Sequence, residues 1–149
     1  MPKLLTSRGD YGLLLMAFLA KHSSKGPISL SEVSASSHLP QPFLEQIASE
    51  LRGARLITAT RGKNGGYSLA RRPEFISIVE VLEVLEGPLQ TVSCQGGKCA
   101  APCLTRDFWT AFQRHIHKTL QKITLADLIG ESPHKLLPIT DEGTNLGSA

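Results

Sequence analysis

Three things are scarce in this chain of 149 residues: cysteine, aromatic side chains and net charge. There are three cysteines, an odd number that cannot all pair within one chain, so a disulfide framework is not expected. Aromatic residues make up 5% of the sequence. The formal charge of +3 is too small to argue for a polyanionic partner by itself. No apolar run is long enough to span a bilayer, since Leu13 to Leu19 is the nearest approach, and no small-residue cleavage site follows it. A cytoplasmic protein without a membrane segment is therefore expected.

What is present is unevenly distributed. The 41% hydrophobic content suits one globular core. Arg52, Arg55, Arg61, Lys63, Arg71 and Arg72 follow one another with no acid between them, and Glu74, Glu80, Glu83 and Glu86 come next with no base between them. The weak average conceals one basic segment.

No internal repeat is present. Ser7 with Asp10 predicts a first helix opened by a capping box, with its apolar face from Tyr11 to Ala20. Gly26-Pro27 breaks the chain. Ser29 with Glu32 predicts a short second helix up to Ser36-Ser37-His38, and Pro40 and Pro42 suit the first turn of a third. Phe43, Leu44, Ile47, Ala48 and Leu51 give that helix its apolar stripe, ending near Gly53. Leu56 to Thr60 and Tyr67 to Leu69 flank the turn Arg61-Gly62-Lys63-Asn64-Gly65-Gly66, which predicts a hairpin. Ser77 and Glu80 cap a fourth helix running to Gly87-Pro88. Leu104, Phe108, Phe112, Ile116 and Leu120 recur every four residues in a long amphipathic helix, and a short helix from Thr124 to Ile129 closes the patterned region.

The expected fold is mainly α with a small β-hairpin wing: a winged helix-turn-helix followed by a long C-terminal dimerisation helix. Its parts would be a DNA-binding domain over 1–87, a cysteine-bearing loop over 88–103, the dimerisation helix and short terminal helix over 104–130, and a disordered tail over 131–149. Three helices and a basic, glycine-tipped hairpin suit double-stranded DNA, because a helix can read base edges in the major groove while a thin hairpin reaches the minor groove. Arg61 is the candidate for the minor groove, where narrow walls concentrate negative potential. Lys63, Arg71, Arg52 and Arg55 are candidates for phosphates. Gln41, Phe43, Glu45 and Gln46 occupy the half of the third helix that faces bases, although Phe43 equally suits the core and Glu45 equally suits a helix start.

Cys94, Cys99 and Cys103 lie within ten residues of one another, with Gly96, Gly97 and Lys98 between them. Soft thiolates select zinc or an iron–sulfur cluster, and the lack of a fourth cysteine or a histidine at finger spacing favours the cluster. His115, His117, His38, Asp107 and Asp10 are candidates for the fourth ligand. A thiol oxidoreductase is not supported, since there is no Cys-x-x-Cys pair and no nucleophile–base arrangement.

Five stretches together resemble the Rrf-type family of winged-helix transcriptional regulators (IscR-, NsrR- and SUF-regulator-like). They are Leu5-Thr6-Ser7-Arg8-Gly9-Asp10-Tyr11-Gly12, Phe43-Leu44-Glu45-Gln46-Ile47, Arg61-Gly62-Lys63-Asn64-Gly65-Gly66-Tyr67, the run from Cys94 to Thr105, and Ile123-Thr124-Leu125-Ala126-Asp127-Leu128. The resemblance implies a homodimer built on the helix from Leu104 to Lys122, acting on a pseudo-palindromic operator, usually as a repressor. It also implies a cluster held by the three cysteines and one further residue, with iron or cluster status, redox state or nitric oxide as the signal. In IscR-like members that residue is a histidine three positions after the last cysteine, where this chain has Arg106. In NsrR-like members it is an aspartate early in the first helix, contributed by the partner subunit. Asp10 matches that position, and by the same analogy a 4Fe–4S cluster is favoured over 2Fe–2S. A cluster-free repressor controlled by a protein partner, as in CymR-like members, or by cysteine oxidation is the alternative.

Overall fold

The computed structural model describes residues 6–90 and 102–130. Cys94, Cys99 and the expected tail lie outside them. Six α-helices and one hairpin occupy the described residues: α1 (Ser7–Lys21), α2 (Leu30–Ser37), α3 (Gln41–Gly53), β1 (Ile57–Thr60), β2 (Gly66–Leu69), α4 (Ile78–Glu86), α5 (Arg106–Lys122) and α6 (Leu125–Ile129). Short 3-10 turns at Ser23–Lys25 and Pro73–Phe75 carried no signal in the sequence reading. The winged helix-turn-helix order and the mainly α class are as expected.

Helix starts follow the polar residues, with one correction. The Ser29 and Ser77 hydroxyls accept from the N–H groups of Glu32 and Glu80, and Thr124 forms a full capping box with Asp127. The cap of α1, however, is Thr6 and not Ser7. The Thr6 hydroxyl accepts from the Arg8 N–H while donating to Glu86 Oε1, so a carboxylate from the end of α4 fixes the helix start one residue early. The long helix also starts later than expected, at Arg106, and the hydroxyl of its N-cap residue Thr105 faces Cys103 Sγ at 3.4 Å and makes no cap hydrogen bond.

The core is aliphatic. Leu15, Met16 and Leu19 of α1 pack with Leu44, Ile47 and Leu51 of α3, Leu82 of α4, Leu56, Ile57 and Ile76. Fully buried Leu125 of α6 joins the same cluster. That docking is fixed by backbone bonds, from Ile78 N–H to Ile123 C=O and from Leu125 N–H to Ile76 C=O, both 2.9 Å. The stretch after α5 is thereby tied to the stretch before α4.

The hairpin pairs Ile57 with Leu69 and Thr60 with Gly66. Ile28 adds a short third pairing through two hydrogen bonds with Tyr67, of 2.9 and 2.8 Å. Gly66 is required there because a Cβ would stand 2.4 Å from the Ile28 backbone.

Helix α1 crosses α4 closely enough that a Cβ on Gly12 would lie 1.9 Å from Leu85 Cδ1. In an exposed helix, glycine-to-alanine substitution stabilises by roughly 0.5–1 kcal/mol. At this crossing overpacking, typically about 1–3 kcal/mol, reverses the sign. Gly12→Ala is expected to lower stability by about 1–3 kcal/mol in denaturant unfolding, and a raised midpoint would contradict the packing described.

Candidate nucleic-acid interface and cysteine-loop root

Helix α3 separates its faces cleanly. Leu44, Ile47, Ala48 and Leu51 are buried, while Gln41, Glu45, Gln46 and Arg52 are exposed. Gln41 Nε2 donates to Glu45 Oε1 at 3.2 Å, so two of the expected base-reading side chains are held together one turn apart. Phe43 is different. It is half-buried against the core, with its ring edge-on to Tyr11 at 5.5 Å between centroids. The ring therefore has a packing role whatever its outer edge touches.

The basic segment divides in two. Arg71 donates to Glu80 Oε1 and to the Phe75 carbonyl, and Arg72 pairs with Glu74 at 3.4 Å. Arg71 thus fastens the base of the wing to α4, although the run of basic residues suggested phosphate contact. Arg52, Arg55, Arg61 and Lys63 are exposed and form none of the ion pairs among the described residues. Arg61 and Lys63 stand at the wing tip, where Gly62 takes φ +117° and accepts from the Gly65 N–H at 3.0 Å. Arg55 adopts φ +60° at the turn between α3 and β1.

The root of the cysteine loop contains a contact that no local motif announced. Glu86, the last residue of α4, accepts from the N–H groups of Thr6 at 3.0 Å and Gly9 at 2.8 Å, besides the Thr6 hydroxyl. It thereby satisfies otherwise unpaired donors at the start of α1 and places negative charge at the positive end of that helix. Burial alone pushes the Glu86 carboxyl up. The hydrogen bonds from Thr6 and Gly9 and the nearby Arg8 charge outweigh burial, and the net effect is below the ordinary value. Its partners lie some eighty positions away in sequence, which is why sequence reading missed it.

Asp10 lies in the first turn of α1 and is exposed. With Thr6 and Glu86 capping the helix, no hydrogen bond or ion pair engages the Asp10 carboxylate among the described residues, and its expected pairing with Ser7 does not form. Cys103 is half-buried just ahead of α5. Cys94 and Cys99 lie outside the described residues, and no group of three or more metal-binding side chains occurs among those described. Of the other candidate ligands, His117 is engaged with Glu83 Oε1 at 3.1 Å, whereas His38, His115 and Asp107 are exposed.

The Rrf2 family, described as iron-dependent transcriptional regulators, matches residues 5–131. The chain belongs to the Rrf2 family. It is 36% identical over 131 residues to a putative HTH-type transcriptional regulator, ORF2, of Azotobacter vinelandii, covering 86% of this chain and 80% of that one. It is 35% identical to the HTH-type transcriptional regulator IscR of Sodalis glossinidius, over 95% and 86% of the two chains. Its fold matches the structure of CymR, the global cysteine regulator of Bacillus subtilis, with a TM-score of 0.76 at 34% identity, over 87% and 97% of the two chains. This Rrf2 protein is a transcriptional regulator, as its relatives are, and not an enzyme. Among the described residues no helix is long and apolar enough to cross a membrane.

The Glu86 contact has a pH signature. A carboxyl held below its ordinary value of 4.5 stabilises the fold fully above the unfolded-state pKa, and the contribution disappears as pH falls through the lower folded value. The urea midpoint of Glu86→Gln is therefore expected to fall below that of the wild type at neutral pH, with the gap closing as pH drops under 4.5. A gap independent of pH would contradict the assignment.

Proposed function

We propose that this Rrf2 protein is a cytoplasmic, homodimeric repressor whose affinity for a double-stranded DNA operator is set by an iron–sulfur cluster. Cys94, Cys99 and Cys103 would hold the cluster, with Asp10 of the partner subunit as the fourth ligand, and 4Fe–4S is the expected form. The observation that carries this reading is Asp10: an exposed carboxylate, left out of the capping of its own helix, in a chain whose thiols all fall in one loop. Three soft thiolates with one harder oxygen form a donor set suited to iron, and the match to iron-dependent regulators agrees.

When bound, the cluster supplies accessible redox states and a reactivity towards oxygen, nitric oxide and iron scarcity. The chain's residues turn its presence into geometry. Cys103 leads directly into α5, a 17-residue helix with no buried residue, on which Phe108 and Phe112 stack at 6.0 Å and are both exposed. An exposed aromatic face of that kind supports the homodimer. Asp10 sits on a helix that packs against α3, so holding or releasing Asp10 shifts recognition helices whose spacing must match two half-sites. On the DNA, Gln41, Glu45 and Gln46, with the outer edge of Phe43, would read bases. Arg61 would enter the minor groove, and Arg52 and Lys63 would contact phosphates.

The likeness to CymR favours a second reading, a cluster-free repressor controlled by a protein partner or by cysteine oxidation. The two readings differ in colour. Anaerobically purified protein is expected to be brown, Cys99→Ala to remove the visible absorption, and Asp10→Ala to shorten cluster lifetime without dissociating the dimer. A colourless wild type loaded with zinc would overturn the cluster. On the DNA side, Lys63→Ala is expected to reduce the slope of log affinity against log salt by about 0.9; an unchanged slope removes Lys63 from the phosphate contacts.

A further inference from the structure

The first turn of α1 is joined to the recognition helix by one charged contact. Arg8 Nη2 donates to Glu50 Oε1, which lies on α3 42 positions away in sequence. The same guanidinium acts electrostatically on Glu86, whose carboxylate holds the Gly9 N–H. Arg8 Nε is shielded from solvent, while the rest of the side chain stays partly exposed and reaches Glu50. The end of α4, the first turn of α1 and the helix bearing Gln41, Glu45 and Gln46 therefore form one connected line.

Core packing does not account for this line. The Arg8 and Glu50 side chains remain 41% and 38% exposed, and ion pairs at such exposure add little to global stability. What the pair does fix is relative position. Without it, α1 and α3 are linked through the Tyr11–Phe43 ring contact and through the apolar stripes of Leu15, Met16, Leu44 and Ile47, all beyond the first turn of α1. An arginine fork is suited to the task because its planar donors fix direction as well as distance.

We infer that the Arg8–Glu50 pair is a positioning contact that couples the recognition helix to the first turn of α1, so that a shift in either one biases the other. Arg8 and Glu50 are positioning residues and read no base. The inference rests on the proposed function in two respects, that α3 is the helix seated on DNA and that Asp10, at the far end of the line, would feel the cluster. The coupling itself needs no cluster. Because coupling between two sites is reciprocal, DNA seated on α3 must be felt at the start of α1.

That reciprocity is measurable where the donors are already protected. The N–H groups of Arg8, Gly9 and Asp10 are bonded to Thr6 Oγ1, Glu86 Oε1 and the Thr6 carbonyl, so their hydrogen exchange reports on the first turn. The full-length protein is used in both cluster-free and as-purified form, with a duplex that it has itself selected from a random pool. In the wild type, duplex binding is expected to slow exchange across residues 8–10. R8Q and E50Q are each expected to weaken that slowing by about two- to fivefold, the range that a partly exposed ion pair supports. The R8Q/E50Q double variant is expected to weaken it no further, with thermal unfolding nearly unchanged in all three. No slowing in the wild type, full slowing in both single variants, or effects that multiply in the double variant would each overturn the inference. A melting temperature that falls in step with the exchange effect would overturn it too, by reducing the pair to fold support. Loss of the cluster reading has a separate signature, since a cluster-free protein that still shows the coupling contradicts only the assigned signal.

Discussion

The close crossing of α1 over α4 is the constraint on which the rest of the structure depends. Gly9 and Gly12 present no side chain at the crossing, so Leu82, Leu85 and Glu86 approach the α1 backbone directly. Once there, the Glu86 carboxylate meets the unpaired N–H groups at the start of α1 and fixes where that helix begins. The crossing therefore determines the position of Asp10 and Arg8 in the first turn. It also sets the point from which the chain leaves α4 towards the cysteines. One glutamate at the end of α4 thus anchors the start of α1 against the fold.

The same economy runs through the basic segment. Six basic residues in an acid-free run look alike in sequence, yet they fall into two groups in space. Arg71 and Arg72 meet the glutamates that follow them, and the Arg71 pair braces the root of the wing against α4. Arg52, Arg55, Arg61 and Lys63 have no such partner among the described residues, and that is the property that suits them to an external polyanion. The helix α5 shows the complementary case on the apolar side. Its inner end packs through Leu120 and Ile123, while Phe108 and Phe112 remain exposed.

Much of this was legible because the signals are local. Serine caps at Ser29 and Ser77, the prolines opening α3 and the glycine-rich wing tip each act within four residues of themselves, so reading along the chain finds them. The Thr6 cap was missed in favour of Ser7 because the deciding partner, Glu86, lies eighty positions on. Arg8 and Glu50 were invisible for the same reason. Phe43 lay between two readings because its spacing fits both a core position and the base-facing half of α3, and the Tyr11 ring decides its packing side. The pairing of Arg71 with Glu80 needed the fold of the wing, since nothing in the run itself distinguishes Arg71 from Arg61.

The central claim is that the cysteines of one protomer and Asp10 of its partner complete one cluster. Hybrid dimers test it directly. Asp10→Ala protomers are mixed with Cys103→Ala protomers, and the separated hybrid is weighed by native mass spectrometry under anaerobic conditions. Ligation across the dimer predicts one cluster of wild-type lifetime per hybrid, because one of its two sites retains three cysteines and an intact Asp10. A hybrid with no stable cluster, or with zinc in its place, would contradict the account.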